Sequence, residues 1–198
     1  MAEAVPVEGD YRRVLMTVLA INLTMFAVEM TAGLLGRSAA LQADALDFLG
    51  DSATYAMTLM VLGMSLRWRA SAAMVKGLGM GGFGLWVIGV TVYHLIQGTL
   101  PSAAIMGGTG LAALGANLAS AVLLYRHRRG DSNRRSVWLC SRNDAIGNIA
   151  VIAAAGAVWA TGANWPDLAV GAVIAALALS SAAAVIRQAL GELRAEAA

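Results

Sequence analysis

From about residue 14 onward the chain is a series of long apolar stretches separated by short polar connections. Six can be drawn, at 14–35, 39–64, 74–97, 102–125, 137–161 and 166–190. Alanine, glycine and leucine dominate all six, and no alternation of period two persists over about ten residues, so a membrane β-barrel is a poor reading. Roughly 20 residues at about 1.5 Å rise cross a hydrocarbon core of about 30 Å, and a lone helix satisfies its own backbone there. The pattern predicts an all-α polytopic membrane protein, a bundle of six transmembrane helices over residues 12–190. Short tails at 1–11 and 191–198 flank it.

Composition agrees. Hydrophobic residues make up 59% of the chain and charged residues 13%, about half the charged share of a soluble domain. Extended disorder is excluded on the same ground. The net charge of +2 is scattered between apolar runs, so no basic stripe offers itself to nucleic acid. The single cysteine permits no internal disulfide. Residues 1–10 are polar and acidic, contain Pro6 and Gly9, and lack the basic region and cleavage site of a signal peptide.

The arginines set the expected orientation. Arg12 and Arg13 precede span one, Arg67 and Arg69 follow span two, and Arg126, Arg128, Arg129, Arg134 and Arg135 crowd the connection between spans four and five. Arg187 and Arg194 lie at the end of the chain, whereas Arg37 is alone on the opposite side. The positive-inside rule then places both termini in the cytoplasm. The arginine-rich loop itself reads as topogenic and headgroup-facing in preference to a nucleotide or specific lipid site.

Charges inside the spans change the picture most. Each costs on the order of 3 kcal/mol near the bilayer centre, yet span two holds Asp44, Asp47 and Asp51. At about 100° per residue these three share one helical face. Span five holds Asp144, with Cys140 one turn before it and Asn148 one turn after, again on one face. Span one contains Glu29. Counting about 1.5 Å per residue along antiparallel spans puts Asp51 and Asp144 at nearly the same level, close to the midplane. Isolated carboxylates would repel one another or take up protons, whereas a divalent cation satisfies them together. Three aspartates and one further donor make the four ligands zinc prefers. Carboxylates also suit manganese, and a thiolate would favour zinc or another thiophilic ion.

These residues carry a family resemblance. The run Ser38-Ala39-Ala40-Leu41-Gln42-Ala43-Asp44-Ala45-Leu46-Asp47-Phe48-Leu49-Gly50-Asp51, placed after Glu29, resembles the second transmembrane helix of the cation diffusion facilitators. That helix carries a His/Asp-x-x-x-Asp pair, matched here by Asp47 and Asp51. The segment from Cys140 to Asn148 is similar to the fifth helix, which carries a second such pair; Asp144 matches its aspartate and Cys140 stands where a histidine is usual. The resemblance implies an exporter, commonly a homodimer, that exchanges a divalent metal for protons by alternating access. Its ligands would be Asp47, Asp51, Asp144 and Cys140, with Asn148 or water as the rival fourth donor. Zinc is the first choice of cargo, with cobalt, cadmium, manganese and iron behind it, and no cofactor is expected to stay bound. The expected home is the cell membrane, the inner membrane of a bacterium. Nothing beyond residues 191–198 follows span six, so the family's usual cytoplasmic metal-binding domain is expected to be missing.

Other polar residues are read more modestly. Glu29 and Asp44 serve the site at one remove, carry protons, or bond neighbouring helices. Arg142 points about 200° away from Asp144 and snorkels to the headgroups. His94 reads as an interfacial residue, and Asp167 as a carboxylate favouring the start of its own helix. Glycines 77, 79, 81, 82 and 84 permit close helix packing or a dimer seam. Two rival functions stand behind transport: a noncatalytic accessory or sensor bundle, and an intramembrane metal-dependent lipid-modifying enzyme. The Asp-Gly step and neighbouring arginine of such enzymes do not follow Asp47.

Overall fold

The computed structural model describes residues 8–60, 66–126 and 132–197, with the side chains of the fifth helix described from Asp144 onward. Over these residues the chain forms α1 (Glu8–Leu35), α2 (Ala39–Met60), α3 (Leu66–Gln97), α4 (Ala103–Tyr125), α5 (Ser132–Thr161) and α6 (Trp165–Ala197). No strand occurs among the described residues. At the arginine-poor end the helix limits fall within a residue of the expected spans. At the arginine-rich end α1, α3, α5 and α6 run further, with α1 beginning inside the expected tail and α6 continuing through the arginine-bearing segment to Ala197, whereas α4 ends at Tyr125 as expected and the end expected for α2 lies outside the described residues. No proline interrupts these extensions, and their alanine, leucine, arginine and glutamate residues favour the helix in water as well. The stops at the other end are sharper. Gly98 and Gly162 follow α3 and α5 with φ of 62°, the left-handed geometry that closes a helix and that glycine adopts freely.

Among the described residues five helices contain stretches long and apolar enough to cross a membrane: Gly9–Leu35, Ala70–Gln97, Ala103–Tyr125, Asp144–Thr161 and Trp165–Ala195. The exception is α2, whose three aspartates lower its hydropathy. Packing accounts for it, because α2 lies at the centre of the bundle and touches all five other helices. Residues Ala39 to Leu46 are all buried, so its polar groups meet protein in place of lipid, the usual condition for charge at this depth. Around it, α1 packs on α2, α3 runs along α6, and α4 runs along α5. The outer surface carries the large apolar side chains, including Val28, Trp86, Leu111, Val122, Trp159 and Leu177. In water they would form an oversized apolar patch; in a bilayer they face acyl chains.

The core is built mostly from small residues. Ala40, Ala43 and Leu46 of α2 meet Val87 of α3, Met106 of α4, Val151 and Ala155 of α5, and Ala175 and Ala178 of α6. Small side chains let the backbones approach, which is how one helix can be surrounded by five. The glycines of α3 follow this rule within the chain. A Cβ at Gly77 would meet Ile186 at 2.7 Å and one at Gly84 would meet Leu179 at 2.9 Å, both on α6, whereas Gly79 and Gly82 meet nothing within 4 Å.

The start of α2 is fixed with unusual completeness. Ser38 N–H donates to the Gly33 carbonyl at 2.9 Å, and Leu41 N–H donates to the Ser38 hydroxyl oxygen at 3.0 Å. Ala39 and Ala40 N–H both donate to the Asp167 carboxylate, at 2.8 and 3.1 Å, and the Ser38 hydroxyl donates to it at 2.6 Å. All four N–H groups that the helix start leaves unpaired are thereby satisfied, two of them by a residue of α6. A buried N–H left unpaired costs about 1–3 kcal/mol, so this contact ties the starts of α2 and α6 firmly together. Asp167 therefore caps α2 across the bundle, not its own helix alone. Gly171 makes room for the contact, since a Cβ there would lie 2.8 Å from the Ala39 carbonyl carbon.

Candidate metal-binding site

Asp44, Asp47 and Asp51 recur at three- and four-residue steps on α2, so they lie one above another along a single stripe. Asp144 approaches from α5. Its carboxyl and that of Asp51 come within hydrogen-bonding reach of one another; Asp47 lies close enough to act on both electrostatically, and Asp44 on Asp144. The level inferred from helical rise thus agrees with the packed structure: Asp51 and Asp144 meet. Asp51 is buried, while Asp47 and Asp144 are part-buried. The side chain of Cys140 lies outside the described residues, as does that of Arg142.

Asp51 has two companions that the motif reading passed over. Tyr55, fully buried one turn along α2, donates its hydroxyl proton to Asp51 Oδ2. Lys76 of α3, the only lysine in the chain, acts on the Asp51 charge, and its ammonium donates to Thr54 Oγ1. Both signals were present in the sequence. A tyrosine four residues after an intramembrane aspartate shares its face, and a lone lysine inside an apolar span needs an anionic partner. Among the described residues no three carboxylate, imidazole or thiol groups converge into a ready-made metal cluster. Asp51 is engaged by the tyrosine and feels the charge of the lysine.

Asn148 is spoken for. Its Nδ2 donates to Asp44 Oδ2 at 2.6 Å, and its Oδ1, the atom that would ligate a metal, accepts from Asn117 Nδ2 of α4 at 2.9 Å. All three residues are buried. Glu29 of α1 faces Asp44 from the other side and has no surface exposure at all. His94 is 7% exposed, and its carbonyl accepts from Asn164 Nδ2 and Thr99 N–H where α3 ends and α6 begins.

An all-helical membrane bundle that gathers carboxyls from two antiparallel helices at its centre needs positive charge there, supplied by protons or by a bound cation. Comparison with known families makes this specific. The cation efflux transmembrane domain matches residues 15–194, and the chain belongs to that family, the cation diffusion facilitators. Its members move divalent metal cations across membranes and are transporters, not enzymes. A search among curated proteins found no match.

Proposed function

We propose that the protein exports a divalent metal, zinc foremost, in exchange for protons by alternating access. The meeting of Asp51 and Asp144 inside the bundle is the observation that supports this most. The cargo would be held by Asp47, Asp51, Asp144 and Cys140, three hard oxygen donors and one soft sulfur, a set suited to a four-coordinate zinc ion. A cation arriving there would draw the carboxylates together and take over the neutralising role of Lys76. Ligands must be deprotonated to hold metal, so binding expels protons and acid on the receiving side drives metal off. The arginine bias supports cytoplasmic termini and export across the cell membrane, as in a bacterial inner membrane.

The experiment is metal flux into sealed proteoliposomes over a panel of zinc, cobalt, cadmium, manganese and iron, with a lumenal pH reporter. Zinc uptake with opposing proton movement is the expected result. No flux for any ion, with the protein folded and inserted, would favour an accessory or sensor role.

A further inference from the structure

The strongest polar feature the metal site does not use is the pair Glu29 and Asp44. Glu29 is 0% exposed, and neither of its carboxyl oxygens has a hydrogen-bond partner; Asp44 is 0% exposed, and its Oδ1 has none. The two carboxyls face one another across the α1–α2 interface. The charged groups acting on them are Asp47 on α2 and Asp144 on α5, both acidic. The neighbours they bond through are neutral: Asn148 on α5 and, behind it, Asn117 on α4. No basic side chain among the described residues balances the pair, since Lys76 acts on Asp51. Two buried carboxylates with three bare oxygens between them would cost several kcal/mol each in desolvation alone.

One proton removes the difficulty, and the amide chain indicates where it sits. Asn117 donates to Asn148 and Asn148 donates to Asp44 Oδ2, so Asp44 is held as an acceptor. One proton between Glu29 and Asp44 Oδ1 then satisfies both carboxyls. We propose that Glu29 and Asp44 form a second proton-binding site, distinct from the metal ligands, which gives up its shared proton when a cation occupies the carboxylates below. The assignment rests on the metal-for-proton exchange proposed above. Its coupling is electrostatic. Asp47 and Asp144 raise the negative potential at the pair while they are unneutralised, and a divalent ion among them lowers it, so the shared proton is held in one state and released in the other.

The test counts protons released per metal ion bound by purified protein, and protons moved per ion in proteoliposomes. Glu29→Gln puts a permanent N–H where the proton sits, so it preserves the bond to Asp44 while removing the exchange. It should bind and move metal with one proton fewer per ion than the wild type. Asp44→Asn should lose the same single proton, and the double variant should lose one in total, since the two residues share it. If the wild type exchanges protons and Glu29→Gln leaves the ratio unchanged, the pair is structural and the inference is wrong. A loss of two protons in the double variant also overturns it, because the residues would then titrate separately. If the wild type itself moves metal without protons, the exchange reading fails first. Should Glu29→Gln not fold, the Asp44→Asn ratio decides by the same rule.

Discussion

Asp51→Asn and Asp144→Asn are each expected to abolish metal transport while leaving the bundle folded and inserted. The two carboxyls meet from antiparallel helices at the centre of the molecule, within hydrogen-bonding reach of one another. An amide is close to isosteric, and it removes a buried charge, so the folding cost falls. Asparagine at position 51 still offers an oxygen to the Tyr55 hydroxyl, which keeps the local packing of α2. An amide oxygen is nevertheless a poor substitute for an anionic ligand. Metal affinity should fall at least about a hundredfold in each variant, about 2.8 kcal/mol. Flux assays and a thermal stability measurement on the same preparations check both halves. Normal transport by both variants would place the site elsewhere.

The second large effect is one of selectivity. Cys140→Ser is expected to weaken zinc and cadmium transport about tenfold, about 1.4 kcal/mol, while manganese transport changes by about twofold or less. Soft ions gain from a thiolate; manganese gains little from sulfur over a hydroxyl or water oxygen. The Asn148 oxygen accepts from Asn117, so Asn148 would have to give up that bond to act as the fourth donor in place of Cys140. Competition between zinc and manganese in one vesicle preparation reads the difference directly. Equal losses for all ions would mark Cys140 as a packing residue.

Much of this was legible in the residues themselves, for a simple reason. A helix in a bilayer has a fixed rise and a fixed span, so the depth of Asp51 and of Asp144 follows from counting. Their encounter in the bundle is therefore foreseeable from two short segments. Tyr55 and Lys76 were foreseeable too, one from helical spacing and the other from its solitude in an apolar span, but neither belongs to the metal-binding motif. What could not be read was partnership across the bundle. Asp167 sits at the start of α6 and looks like a cap for its own helix; only the close approach at Gly171 brings it onto the N–H groups of Ala39 and Ala40. The same holds for Asn148, whose helical face pointed toward the metal ligands while its actual neighbours are Asp44 and Asn117. The place of α2 at the centre was legible only indirectly. Its three aspartates make it too polar for lipid, which is a statement about its neighbours.

The central claim is that a buried carboxylate site trades protons for a divalent metal, and equilibrium binding tests it without the complications of flux. Zinc affinity and proton release should be measured together on the purified protein across a pH series, in weakly buffered solution so that released protons register. Protons and metal compete for the same oxygens, so affinity should strengthen as pH rises through the titration of the site and level off once the ligands are ionised. Proton release should accompany binding over that range and vanish at its alkaline end. Affinity independent of pH, with no protons released at any point, would contradict the exchange and leave a passive or nontransporting bundle.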